Sequence, residues 1–133
     1  MELDLKIHHV GCVVQNIEES IALYKNSLGF KDCSEVIYVS SQQVNVCFVN
    51  VGNNTFMELI EPLDEKSAIA KLLKKKHSYY HIGYLSENFT ETLEKLVNKG
   101  CHIITIFNSE AFNNKQCAFL YTEEMHMIEI IEA

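Results

Sequence analysis

Arginine does not occur anywhere in this chain. Its 11 basic residues are all lysines, set against 18 acidic ones, for a formal charge of −7. That balance and an isoelectric point near 5.3 exclude nucleic acid and anionic membrane surfaces as partners, because both demand a positive face. The missing Arg also removes the usual bidentate grip on carboxylates and phosphates. No apolar run is long enough to span a membrane, and no N-terminal segment has signal-peptide character, so a cytoplasmic protein is expected. The five cysteines (12, 33, 47, 101 and 117) are odd in number and form no CxxC pair. Reduced structural thiols are therefore expected, not a disulfide framework or a zinc knuckle. A length of 133 residues with 47% hydrophobic content suits one compact soluble domain, or two small halves sharing a core.

What the chain does contain is the same unit twice. IHHVGCVV (7–14) reads as a strand, and NIEESIALYKNSLGF follows it as a helix. Asn16 stands at N-cap and Glu19 three residues on; Ile17, Ile21, Tyr24 and Leu28 keep helical spacing, and Gly29 ends the run. Strands are expected over about 31–39, 43–50 and 55–61, the last two joined by the turn signal GNN at 52–54. After a short helical connector over about 64–77, the order repeats. A strand at 79–86 precedes a helix with Asn88 as N-cap and Gly100 at its end, then strands at 102–107, 115–121 and 126–132. His9, Gly11, Asn16, Glu19 and Asn26 recur 72 residues later as His81, Gly83, Asn88, Glu91 and Asn98. Phe48, Glu58 and Glu61 recur at an offset of 71 as Phe119, Glu129 and Glu132. The sequence thus predicts an α+β fold of two tandem βαβββ modules, about 5–63 and about 78–133, within a single domain.

The repeat singles out four polar residues. His9 and His81 lie on the first strand of each module; Glu58 and Glu129 lie on the last, flanked by apolar neighbours in MELIE and IEIIE. An ionised carboxylate buried in such a strand costs several kcal/mol unless a positive group meets it. A lone strand histidine is more often a hydrogen-bonded core residue than a ligand, but recurrence at matched positions selects the set of four. Two imidazoles and two carboxylates make an octahedral site with two open positions, suited to one Ni²⁺, Co²⁺ or Zn²⁺ ion, or to Mn²⁺ or Fe²⁺. His8, His77, His102 and His126 have no such twin, and His8 is placed to act as a donor behind the ligand beside it. Glu61 and Glu132 fall on the opposite face and read as structural; Lys74–Lys76 reads as a solvated helix end.

At these residues the sequence resembles the vicinal oxygen chelate superfamily, which contains glyoxalase I and methylmalonyl-CoA epimerase. The resemblance is carried by HHVGCVVQNIEESIALYKNSLGF, NVGNNTFMELIEPL, YHIGYLSEN and IEIIE, and covers essentially the whole chain. It implies a curved mixed sheet forming a cleft around a divalent metal held by His9, Glu58, His81 and Glu129. It further implies proton transfer through a metal-stabilised enediolate or enolate, with Glu129 as the catalytic base. A small-molecule substrate and a homodimer are the partners it implies.

The main reading is a metal-dependent lyase or isomerase of glyoxalase I (lactoylglutathione lyase) type. One alternative is an epimerase of the methylmalonyl-CoA type; another is a metal-free module that sequesters a small molecule, as antibiotic-binding relatives do. Glyoxalases commonly grip glutathione carboxylates with Arg, which is missing here. The epimerases usually place an extra acidic residue before the third strand, where this chain reads SSQQ (40–43). Substrate contacts are expected from Tyr38, Gln42, Gln43, Phe107 and Phe112. Whether one chain or two complete the site stays open.

Overall fold

A computed structural model describes residues 3–133. Eight strands form one mixed sheet: β1 (Leu5–Val13), β2 (Ile37–Val39), β3 (Val44–Gly52), β4 (Thr55–Pro62), β5 (Tyr79–Ser86), β6 (His102–Ser109), β7 (Lys115–Tyr121) and β8 (Met127–Glu132). Their order is β2-β3-β4-β1-β5-β8-β7-β6, which reads the same from either edge once the halves are matched. β1 runs parallel to β4, and β5 parallel to β8; the halves meet where β1 and β5 pair antiparallel. The expected α+β architecture of paired βαβββ units is present, as a curled mixed sheet with few helices. No helix among the described residues is long and apolar enough to cross a membrane.

Two of the three α-helices among the described residues cover one face of the sheet. α1 (Ile17–Ala22) seats Ile17 and, with the turn after it, Ile21 and Tyr24 against Cys47, Val49 and Leu59. α3 (Phe89–Asn98) seats Phe89, Leu93 and Leu96 against Ala118, Leu120 and Ile130. α2 (Ala68–Lys74) instead packs Ile69 against Val44, Val46, Phe48 and Ile60 on the other, concave face. β4 and β8 are therefore buried on both faces, which is why they read as nearly continuous apolar runs. Glu58 and Glu129 take the concave side, since strand side chains alternate and Leu59 and Ile130 take the helix side.

Three local expectations change. Leu28 is 55% exposed: the helix widens into a π-turn over Leu23–Ser27, the Leu28 amide bonds the Leu23 carbonyl, and the extra residue rotates Leu28 off the apolar face. The strand expected over 31–39 shrinks to β2 plus one bridge, Cys33 to Val49. Ser34 interrupts that pairing, because its hydroxyl, rather than a carbonyl, accepts from the Phe48 amide at 2.9 Å. At the N-terminus of α3, the Asn88 side chain caps no amide and donates to Glu91 at 2.6 Å. Asn16 does cap α1, accepting from the Glu19 amide at 3.0 Å. The structural roles read for Glu61 and Glu132 have a visible basis: they accept from the amides of Ile17 and Gln116.

Replacing Asn16 by Ala strands a helix-end amide and is expected to cost about 1 kcal/mol by urea denaturation. Asn88→Ala, which removes no cap, is expected to cost less than half of that; equal losses would contradict this account of the two helix starts.

Candidate metal centre

The seam between β1 and β5 positions the site by its register. Gly11 lies between Glu58 on β4 and His81 on β5. Gly83 lies between His9 on β1 and Glu129 on β8. Laterally paired residues share a sheet face, so each module's glycine sits directly between a histidine and a carboxylate. Two parallel rows result, Phe48–Glu58–Gly11–His81 and His9–Gly83–Glu129–Phe119, each closed at one end by an aromatic ring.

The glycines are there for space. A Cβ on Gly11 would collide with the His81 imidazole, and one on Gly83 would collide with the His9 imidazole. Neither glycine has a positive φ, so backbone freedom is not the reason for them. With both Cβ atoms missing, each ring lies flat over the opposite module's strand and turns its Nε2 toward the centre.

All four expected donors converge. The Nε2 atoms of His9 and His81 are 2.9 Å apart. Glu58 Oε1 lies 3.3 Å from His9 Nε2 and 3.4 Å from His81 Nε2; for Glu129 Oε1 the distances are 3.0 and 3.2 Å. An ion with bonds near ~2.1 Å and ligands at right angles would separate neighbouring donor atoms by about 3.0 Å. His9, Glu58, His81 and Glu129 are 0, 6, 5 and 3% exposed. A single chain supplies all four, two from each half.

The charges point the same way. Two carboxylates face two imidazoles, and no lysine comes within ion-pair distance of either carboxylate among the described residues. Both rings cannot be cationic with Nε2 atoms in hydrogen-bond contact, so a proton between them leaves one negative charge uncompensated. A divalent cation removes that deficit, and the nitrogen and oxygen donors, without thiolate, match such an ion. Without it, the protein's own groups polarise one another. Burial pushes the His81 imidazole toward neutrality, but hydrogen bonds to Glu129 and Glu58 overcome this and raise its pKa. Burial likewise pushes Glu129 up, but His81 and His9 hold it below the usual carboxylate range.

β1 carries a bulge between Ile7 and His9, which leaves His8 as the extra residue and turns it to its neighbour's side. Its Nδ1 lies 2.9 Å from His9 Nδ1. Burial, then the nearby His9, lowers the His8 pKa to about 4, so it is neutral. A ring that gives its Nε2 lone pair to an ion carries its proton on Nδ1; His8 would then accept, not donate as expected. Tyr80 is the matching bulge residue on β5, packed edge-on against His81 at 4.6 Å between ring centroids.

Beside the cluster lies a cavity lined by Gln42, Tyr80, Phe107, Phe112 and Phe119. It adjoins an outer cleft of about 490 Å³ through Gln42, Ile69, Tyr80 and Phe119, a size ordinary for small-molecule sites. Of the residues expected to meet substrate, Gln42, Phe107 and Phe112 line the inner cavity, and Gln42 and Gln43 the outer cleft. Tyr38 lines neither, because its hydroxyl turns outward to accept from Gln43 at 2.9 Å. Sequence reasoning missed Tyr80 and the use of Gly11 and Gly83. The repeated H-x-G spacing was the available signal.

Comparison with known proteins gives the family. Residues 8–119 match the model of the glyoxalase/bleomycin resistance protein/dioxygenase superfamily. The chain belongs to that superfamily. It is 31% identical to the uncharacterised protein YqjC of Bacillus subtilis over 96% of this chain and 91% of that one. It is also 31% identical to the mitochondrial methylmalonyl-CoA epimerase of Bos taurus, over 90% of this chain and 68% of that one. The crystal structure of hypothetical protein BH1468 from Bacillus halodurans superposes with a TM-score of 0.86 at 27% identity, covering 98% of this chain and 95% of that one.

Gly83→Ala is expected to leave the circular dichroism spectrum unchanged but weaken divalent-metal binding by roughly tenfold or more, read by chelator competition. Unchanged affinity would contradict the role given to the glycine. The raised His81 pKa fixes a pH effect on the metal-free protein. Its stabilising contribution is fully present below about 6.5 and lost as pH rises through about 9. The melting temperature in chelator should therefore fall over that interval; a rise would contradict the assignment.

Proposed function

We propose that this protein is a divalent-metal-dependent epimerase of 2-carboxyacyl-CoA thioesters such as methylmalonyl-CoA. His9, Glu58, His81 and Glu129 hold the ion, with Ni²⁺, Co²⁺ or Zn²⁺ suited to the donor set. The observation that carries the reading is the pair of buried carboxylates lining one concave cavity from two pseudo-equivalent strands. Relatives named as methylmalonyl-CoA epimerases support it, and move the reading away from the glyoxalase I type expected first.

When bound, the ion supplies Lewis-acid stabilisation of negative charge developing on a carbonyl oxygen. The side chains do the rest. Inverting a carbon centre requires a proton to leave from one face and return to the other. Glu129, which the ion would hold ionised, takes the proton from the α-carbon. Glu58, on the opposite half of the sheet, relays a solvent-derived proton to the other face, and Glu129 releases the one it took to solvent. Among the described residues no other carboxylate lines the inner cavity, and the segment where the epimerases usually add one places Gln42 there instead. The aromatic walls, Phe107, Phe112 and Phe119, limit water at the reacting carbon.

The lyase reading loses support because neither cavity is lined by a lysine and the chain has no Arg to hold glutathione carboxylates. A metal-free binding module gives no reason to bury two carboxylates against two imidazoles.

The test is incubation with methylmalonyl-CoA in deuterated water with each divalent ion in turn. The expected outcome is α-deuterium incorporation with inversion, reduced by about 10²–10⁴-fold in Glu129→Gln. Glu58→Gln should lose inversion more severely than exchange. No exchange with any ion, alongside turnover of a thiol hemithioacetal, would reverse the proposal.

A further inference from the structure

The two histidines of the cluster occupy equivalent strand positions but are held differently. His9 Nδ1 has a partner at 2.9 Å, the His8 ring; His81 Nδ1 is buried with no partner among the described residues. The difference comes from the bulge residue that precedes each one. Both β1 and β5 carry an extra residue just before the histidine, but it is His8 in one and Tyr80 in the other. An imidazole there reaches its neighbour's Nδ1, whereas the phenol packs its ring edge against His81 without a hydrogen bond.

His8 is also locked in place. It stacks on Phe56 at 4.9 Å between centroids with planes 28° apart, and meets Phe48 and Phe112 edge-on at 5.5 and 5.3 Å. Three rings fix its orientation and aim its Nδ1 at one atom, His9 Nδ1. A ligating histidine that donates its second N–H to a fixed acceptor is held in a single tautomer and ring orientation.

We propose that His8 is a positioning residue: it accepts from His9 Nδ1–H, which fixes His9 with its Nε2 lone pair toward the ion. His9 is therefore the pre-set anchor of the centre, and His81 the adaptable ligand that settles once the ion is in place. The inference rests on the metal-site reading above, but it concerns which nitrogen carries the proton and not which substrate is turned over.

The test compares His8→Phe, which keeps an aromatic ring but removes the acceptor, with His8→Asn, whose carbonyl can restore it. Affinity for Zn²⁺ and Co²⁺ is read by competition with a chromophoric chelator, and the melting temperature of each metal-free variant is recorded. His8→Phe should weaken both ions by roughly 10–100-fold, with a metal-free melting temperature close to that of the unmodified protein. His8→Asn should recover most of the loss. In the zinc-loaded protein, nitrogen NMR should show His9 protonated at Nδ1. Affinity unchanged in His8→Phe, an equal loss in both variants, or an Nε2-protonated His9 would overturn the proposal while leaving the metal site standing. An unmodified protein that takes up neither ion would overturn both.

Discussion

Two carboxylates buried against two imidazoles, at the seam where β1 meets β5, are the constraint around which this chain is built. Charge in a low-dielectric interior is tolerated only when compensated. The compensation available from the protein itself falls short, because the two imidazole nitrogens touch and cannot both be cationic. A divalent ion at the same point would complete it. Placing those four groups within reach of a common centre explains features that are costly or neutral otherwise. It accounts for two glycines in the middle of central strands, for a bulge before each histidine, and for carboxylates interrupting two apolar runs.

The sheet's symmetry makes this economical. Because β1–β4 and β5–β8 are parallel pairs joined by an antiparallel seam, one module's histidine lies across from the other module's glycine. A single repeated sequence pattern, H-x-G on the first strand and an isolated Glu on the last, therefore builds all four corners. Function then departs from symmetry where the side chains differ. His8 and Tyr80 give the two histidines unequal support, and the inner cavity meets the outer cleft at Gln42, Ile69, Tyr80 and Phe119.

Much of this was legible in the sequence because duplication converts a weak local signal into a paired one. Glu129 alone is an apolar-strand oddity; with Glu58 at the matching position it becomes part of a set, and the structure brings that set together. The same comparison displayed Gly11 beside Gly83, but their role depends on cross-strand register, which a linear pattern does not contain. The bulges at His8 and Tyr80 were hidden for the same reason, since they appear only when the facing strand is known. Leu28 and the segment before β2 were misread where a π-turn and the Ser34 hydroxyl replaced the regular hydrogen-bond ladder. Helix and strand periodicity assume that ladder continues. The substrate was the least legible feature, because Tyr80 and Phe119 reach the cavity from elements far apart in sequence.

The central claim is that His9, Glu58, His81 and Glu129 hold one divalent ion. X-ray absorption at the cobalt edge of the cobalt-loaded protein addresses it most directly. The account predicts one ion per chain in a shell of nitrogen and oxygen only, near ~2.1 Å, with multiple scattering from two imidazoles. A sulfur scatterer near ~2.3 Å, or a shell of water without imidazole, would contradict it.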